Sequence, residues 1–538
     1  MKRILLLIAL FSSGISFGQK LLFSEKGRFL DGREAACEIS AYDATSEQLF
    51  ITNAASDSIT IVDISDPASP IEVGGIDILI YGGAVNSVVN LNNGYFAAAI
   101  EASVKQDSGL VVFFTTAGDF VSQVKVGALP DMLAVTKDGM KLLVANEGEP
   151  DDSYTVDPNG SVCIVDLTPG IPNLLASHVL FLEFDLAPSS IPGSLKKPGT
   201  TWAQDLEPEY IAVNENSTLA AVVCQESNVF VFIDLTTNSI ISYKGLGFKA
   251  HNMAGAGFDA SNRDNAINIK PWNVKGVYQP DAISTFDFNG QTYWLSANEG
   301  DGRDYDGYSS ETRIKDLVLD PTAFPNALQL QNDTVLGRLK TFTVDVIGDI
   351  DNDNDVDELY SYGARSFSIW DQTGNLVWDS GDQFEQFIAT NHADFFNCSD
   401  GLASEKDDRS DDKGPEPEAI TVGVIGGKTY AFIGLERQGG IFVYDITNPL
   451  SPVYENYLQT LDVQNGTMAD IAPEGLLFVP ASESHTGTNL LIVSNEFSGS
   501  TTIYEITENN IGLSEVENNI FSVYPNPTND LVNIDLNS

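Results

Sequence analysis

A unit of three short apolar runs returns seven times along this chain, and that return limits the fold more than any other feature. Its clearest copy is 405–445, EKDDRSDDKGPEPEAITVGVIGGKTYAFIGLERQGGIFVYD. A charged loop and a Pro-Glu step lead into AITVGVI, TYAFIGL and GIFVYD, which have strand length and are rich in β-branched and aromatic residues. The remaining copies, in chain order, begin with EISAYD, QLFITNA, SITIVDI; then NSVVNL, YFAAAIE, GLVVFF; DMLAVT, KLLVANE, SVCIVDL; and EYIAVN, LAAVVCQE, VFVFIDL. DAISTF and TYWLSANE are joined by SFSIWD after a long insertion, and EGLLFV, LLIVSNE, TTIYEI close the series. A fourth run follows several units, as in PIEVGGI and NLVWDSG. Four short antiparallel strands repeated radially describe a propeller blade, so the expected fold is an all-β, seven-bladed β-propeller over 19–507. Residues 20–24 are expected to supply the outermost strand of the last blade. Growth by repetition also accommodates 538 residues, more than the ~250–300 that one core sustains. Helical patterns are nearly absent, and ETRIKDLVL at 311–319 is the best candidate.

Large insertions at 183–207, 250–279, 300–363 and 387–417, with a smaller one at 148–160, all enter a blade or join its second and third strands. Antiparallel order puts the start of strand one and the end of strand two at the same end. The insertions therefore open on one face, which is the expected working surface. Acids collect there too. Strand one begins with Glu38, Asp131, Glu209, Asp281, Glu418 and Glu474, with Asn86 in the second blade. Strand two ends with Glu101, Glu147, Glu226, Glu299, Glu436 and Glu496, with Ala54 in the first. Carboxylates converging at one mouth must protonate, pair with Lys or Arg, or bind cations. Hard oxygen ligands suit Ca²⁺ and, second, Mg²⁺. Asp281, Glu299, Glu418 and Glu436 are the candidate ligands; the alternative is that these acids hydrogen-bond backbone amides at blade corners.

The run 349–358, DIDNDNDVDE, adds Asp349, Asp351, Asp353 and Asp355 as candidate ligands. It lacks the EF-hand pattern, because the sixth and twelfth positions counted from Asp349 hold Asn354 and Tyr360. A shorter calcium loop and a solvated acidic loop both fit. Arg313 lies in the same-face loops, as do Arg303, Arg409, Lys413 and Arg437. The last four form a candidate anion clamp, able to hold a phosphate beside bound metal or to balance the acids. His251, His392 and His485 are scattered as loop or packing residues, and no nucleophile–base pair is legible.

A formal charge of −48 argues against nucleic acid and anionic membranes and favours either cations or plain solubility. Lys2 and Arg3 ahead of an apolar run and small residues read as a signal peptide over 1–18. No later stretch reaches the ~18 apolar residues of a transmembrane segment. Cys37, Cys163, Cys224 and Cys398 show no metal-binding spacing and are expected as buried free thiols.

Several long segments, LPDMLAVTKDGMKLLVANEGEP, QPDAIS with ANEGDGRDY, DELYSYGARSFSIWD, SDDKGPEPEAI and IVSNEFSGSTTIYEI, occur in order, and together they resemble the choice-of-anchor I family. That family is related to mesenchyme-specific cell-surface glycoproteins associated with biomineralisation. The resemblance implies an extracellular propeller; members have been labelled both biomineral-associated and alkaline-phosphatase-like, and no catalytic residue is carried over. After a linker at 508–518, the stretch 519–538, NIFSVYPNPTNDLVNIDLNS, resembles the start of a type IX secretion sorting domain, a small β-sandwich of which about one strand is expected here. That resemblance implies secretion or cell-surface display through the type IX machinery. The expected function is a Ca²⁺-dependent binding or matrix protein, with divalent cations and extracellular matrix, mineral or a phosphorylated ligand as partners. A metal-dependent phosphoesterase is the alternative.

Overall fold

The computed structural model describes residues 20–462, 466–509, 521–524 and 533–536. The chain forms two compact units, Phe23–Ile506 and the pair of segments Met1–Leu22 and Thr507–Ser538. The smaller unit carries an antiparallel pair, Phe521–Tyr524 with Asn533–Leu536, where about one strand was expected. The signal segment 1–18 and residues 510–518 of the linker lie outside the described residues.

The larger unit contains seven four-stranded antiparallel sheets. Six follow one another along the chain as blades 1 to 6, at 40–77, 85–128, 130–183, 208–245, 283–379 and 417–458. In blade 5 the second and third strands, Gln291–Asn298 and Ser366–Trp370, are paired across the longest insertion. Blade 7 joins Pro473–Val479, Asn489–Asn495 and Ser500–Asn509 to Lys20–Leu30, which is its outermost strand, as the sequence predicts. The inner strand of each blade contacts the next, and that of blade 7 contacts that of blade 1, so the ring is closed.

The core lies between blades. Strands two and three are covered on both faces and therefore read as unbroken apolar runs; every residue of LAAVVC in blade 4 is buried. Outer strands face water and alternate, as in IEVGGID of blade 1, which is why fewer of them are legible in the sequence. Six of the interfaces each hold an apolar cluster among the described residues. Between blades 1 and 2, Phe50 stacks on Phe96 with centroids 4.0 Å apart. Between blades 4 and 5, Trp294 and Trp370 pack on Phe232 and Phe230. All four cysteines are buried and free.

The insertions pack into a cap with a core of its own, where Phe258, Ile314, Phe324, Leu339 and Val356 are buried together. Here the helix expected at 311–319 does not form. Glu311–Arg313 is a strand paired with Lys340–Phe342, and Ile314–Asp316 is one 3₁₀ turn. Burial of Ile314 and Leu319 in the cap core outweighs the local helical preference. The longest helix is Gln383–Asn391, entering blade 6, with Phe384, Glu385 and Ile388 buried.

Arg365 ties the insertions together. Its guanidinium donates to Glu385 Oε1 at 2.7 Å and to the carbonyls of Asp259, Ser410 and Asp412 at 2.8, 2.8 and 2.7 Å. Two separate connections, the one into blade 5 and the one between blades 5 and 6, thus converge on one buried cation. Replacing Arg365 with Met leaves buried Glu385 without a countercharge and removes the side-chain donor from three carbonyls, and should cost about 3–5 kcal/mol in chemical denaturation. Leu186→Ala, at a side chain 91% exposed, should stay within about 0.5 kcal/mol of the parent.

Candidate functional site

Five of the blades build their share of the acidic mouth with the same local chemistry. In five blades strand one opens on a Pro-acid step: Pro130-Asp131, Pro208-Glu209, Pro280-Asp281, Pro417-Glu418 and Pro473-Glu474. Proline has no N–H for the ladder. The register slips just after Pro130, Pro208, Pro417 and Pro473, and such a bulge turns the following side chain out of the regular alternation. The residue before the proline is left-handed in four blades: Leu129, Gln279, Glu416 and Ala472, with φ of 46°, 39°, 53° and 58°. That conformation costs roughly 1–3 kcal/mol at a residue bearing a side chain. Its carbonyl then accepts the N–H of the acid that ends strand two, at 2.8 Å for Leu129–Glu147, Glu416–Glu436 and Ala472–Glu496. One hydrogen bond therefore brings the two acids of a blade together.

Strand two ends Asn-Glu in three blades, and the two residues have different tasks. Asn146, Asn298 and Asn495 are buried and bond across to strand three. Asn298 Nδ2 donates to Ser366 Oγ at 3.2 Å and Ser368 Oγ at 2.8 Å. Asn146 and Asn495 reach the carbonyls of Ser161 and Ser500 at 3.2 and 3.3 Å. The Glu that follows is left to face the mouth. In blade 1 Asn53 keeps the staple, through Thr60, while Ala54 has dropped the acid.

The acids meet in groups. Carboxylate oxygens of Glu38, Glu474 and Glu496 lie within 4.8 Å of one another, as do those of Glu147, Glu209 and Glu226, and those of Glu299, Glu416 and Glu436. Burial, then repulsion by Glu299, Asp131 and Glu436, holds Asp281 well above the usual carboxylate range. Glu418 is held high by burial and by Glu436, Glu299, Asp281 and Glu474. Burial and Glu496 push Glu38 up to about 8, and burial and Glu149 push Asp131 up to about 7. Of the four candidate ligands, Glu299 and Glu436 share one group with Glu416, while Asp281 and Glu418 lie outside the groups and act on those two through their charge.

The four candidate clamp cations are already engaged with carboxylates. Lys413 bonds Glu299 and lies 3.2 Å from Glu416. Arg409 bonds the same Glu416. Burial alone would raise Glu416, but Lys413 and Arg409 outweigh it and hold this acid down at about 2. Arg437 pairs with Glu436 at 2.8 Å and Asp400 at 3.1 Å. Even so, burial with Glu416 and Glu299 pushes Glu436 up to about 8. Arg303 is buried elsewhere, against Glu207 at 2.8 Å and the Asp205 carbonyl at 3.0 Å. Arg313 pairs with Asp411 in the cap.

The aspartate loop forms a separate pair of groups. Asp349, Asp351 and Asp353 lie together, and Asp355 joins Asp357 and the distant Asp320. Asp349 accepts three loop N–H groups, from Asn352 at 2.6 Å, Asp353 at 3.2 Å and Asn354 at 3.0 Å. Asn352 and Asn354 take left-handed φ of 65° and 70°, giving the loop its tight turns. Of the histidines, His251 is buried and donates from Nδ1 to the Ala256 carbonyl, and His485 bonds Tyr42.

Sequence reasoning passed over Glu416, Glu207, Asp205 and Asp320. Glu416 and Glu207 left a local signal, each standing directly before the Pro-acid step as Glu-Pro-Glu at 416–418 and 207–209.

The choice-of-anchor I domain model matches residues 38–449, the span that carries the first five blades, the first three strands of blade 6 and most of the mouth. The chain belongs to the choice-of-anchor I family. This choice-of-anchor I chain is 30% identical over 192 residues to Gigasin-3a of Magallana gigas, a match covering 33% of the chain and 66% of that protein. It is 28% identical over 302 residues to the mesenchyme-specific cell surface glycoprotein of Strongylocentrotus purpuratus, covering 49% of the chain and 38% of that protein. The matched stretches are thus less than two thirds of either relative's own length. Similar solved structures include the WD40 domain of Toxoplasma gondii coronin, at 8% identity and a TM-score of 0.45 over 91% of this chain and 86% of that one. Another is hydrazine synthase of Kuenenia stuttgartiensis, at 10% identity and 0.44 over 88% and 98%. No helix among the described residues of the choice-of-anchor I chain is long and apolar enough to cross a membrane.

The raised acids fix a pH dependence. Glu38 and Glu436 at about 8 and Asp131 at about 7 bind protons more tightly folded than unfolded, where carboxyls titrate near ~4. Their contribution is full below ~4 and is lost as pH rises to about 8. Glu416, held at about 2, acts in the opposite sense and only below ~4.5. In chelator, the melting temperature should therefore fall between pH 5 and pH 8, and Glu38→Gln with Glu436→Gln should flatten that fall. A melting temperature that climbs across this range would refute a proton-holding mouth.

Proposed function

We propose that this chain is a secreted or cell-surface propeller whose acidic mouth and aspartate loop bind divalent cations, Ca²⁺ foremost and Mg²⁺ second. The observation that carries this reading is the convergence of buried carboxylates whose oxygens lie within 4.8 Å of one another. That spacing matches the diameter of a Ca²⁺ coordination shell, whose Ca–O distances are about 2.3–2.6 Å. Candidate ligands are Asp281, Glu299, Glu418 and Glu436, the triads at their sides, and Asp349, Asp351, Asp353 and Asp355. The relative named as a mesenchyme-specific cell surface glycoprotein supports surface placement. Bound cations would then bridge the mouth to an anionic partner, in extracellular matrix, mineral or a phosphorylated ligand. Secretion by a signal peptide and a type IX sorting segment is part of the same proposal.

Engagement of Lys413, Arg409, Arg437 and Arg303 with carboxylates favours binding over phosphate-ester hydrolysis, which needs a cation free to clamp the transferred group. A ligand bound by the folded state alone stabilises it by RT ln(1 + [L]/Kd), about 2.7 kcal/mol at a hundredfold excess over Kd. Millimolar Ca²⁺ added to protein stripped of metal should raise the melting temperature at fixed ionic strength, and chelator should reverse the rise. Replacing Asp351, Asp353 and Asp355 by Asn should remove the part contributed by the loop. A melting temperature indifferent to Ca²⁺, Mg²⁺ and chelator would sink the proposal.

A further inference from the structure

The three acidic triads of the mouth differ in what neutralises them. At Glu299, Glu416 and Glu436 the protein supplies its own cations, since Lys413 stands between Glu299 and Glu416 and Arg409 and Arg437 bond the outer oxygens. At Glu147, Glu209 and Glu226 no cation is inserted in this way, and Arg303 and Lys105 act on Glu226 and Glu147 only from beyond ion-pair distance. Among the described residues no Lys or Arg forms an ion pair with any of the three. The nearby basic groups are held elsewhere: Arg303 on Glu207 and the Asp205 carbonyl, Lys105 on Glu149, and Lys197 over the rings of Tyr154 and Tyr308 at 4.3 and 4.7 Å.

A second observation separates this triad from an ordinary acidic cluster. Glu209 and Glu226 are only 9% and 7% exposed, their carboxyl groups face each other within hydrogen-bonding reach, and no N–H or hydroxyl donor meets the enclosed Oε2 of either. Enclosed oxygens of this kind are costly unless a proton or an ion meets them. Three carboxylate ligands and no nitrogen or sulfur donor select a hard ion. The blade architecture fixes the geometry: Glu147 ends strand two of blade 3, while Glu209 and Glu226 open strand one and follow strand two of blade 4.

We propose that Glu147, Glu209 and Glu226 hold one hard divalent cation between blades 3 and 4, at the place where Lys413 serves the Glu299 triad. This rests on the reading that the mouth binds cations, and it assigns one ion to one seam of the ring. The rival occupant is a proton shared by Glu209 and Glu226.

The test uses the full chain and Mn²⁺ as probe. Metal-stripped protein is equilibrated with Mn²⁺ and bound ions are counted for the wild type, for Glu209→Gln with Glu226→Gln, and for the loop variant Asp351→Asn, Asp353→Asn, Asp355→Asn. The Glu double variant should bind one ion fewer than wild type, whereas the loop variant should keep the ion assigned here. Crystals of the wild type grown with Mn²⁺ should show an anomalous peak among the three carboxylates, which decides the matter if the double variant does not fold. Unchanged stoichiometry in the double variant, or a wild-type map with peaks only elsewhere, overturns this assignment in favour of the shared proton while leaving cation binding at other sites intact. A wild type that binds no Mn²⁺, Ca²⁺ or Mg²⁺ overturns both.

Discussion

Repulsion between carboxylates held out of water is the constraint on which the working end of this propeller depends. A repeated backbone device places two acids per blade at one small opening. The apolar seams between blades hold those positions fixed, so the acids cannot relax apart. Each unit of pKa shift represents about 1.4 kcal/mol of unfavourable interaction for the charged form. The molecule therefore needs protons, internal cations or bound ions at its mouth, and different sectors satisfy that need differently.

The insertions are best understood against this need. They carry the basic residues that meet the ring: Lys413 and Arg409 from the connection into blade 6, and Arg303 from the interruption of blade 5. They also exclude water, which strengthens both the repulsion and its remedies. Arg365 gathers these loops onto the blades with four hydrogen bonds, so that the cap behaves as structure and not as loose connections. Strain is accepted in the same region, at Leu129, Gln279, Glu416 and Ala472, where tertiary bonding holds left-handed residues ahead of proline.

The blades were legible because repetition multiplies a weak local signal: a doubtful strand such as NSVVNL becomes secure when six others align with it. The two acid positions were legible for the same reason. What repetition could not reveal is whatever occurs once. Lys413 pairs with Glu299 across 114 residues, and Asp320 joins Asp355 and Asp357 from a separate loop segment, with no periodicity to announce either. The helix expected at 311–319 failed on similar grounds. Its apolar residues serve a cap core assembled from distant segments, and their spacing carried no trace of those partners. Helix Gln383–Asn391 was hidden within an insertion read only as loop.

The two departures from the acidic pattern, Ala54 and Asn86, fall in neighbouring blades. Asn86 spends its amide on the Pro130 carbonyl at 3.2 Å. The seam between blades 1 and 2 is thus poorer in acid, another sector is balanced from within by lysine and arginine, and a third is lined with oxygen that no lysine or arginine pairs. A near-symmetric ring of blades consequently presents a lopsided electric field. A charged ligand arriving along the axis meets a preferred azimuth, so a scaffold of seven similar parts can distinguish one orientation of its guest from the other six.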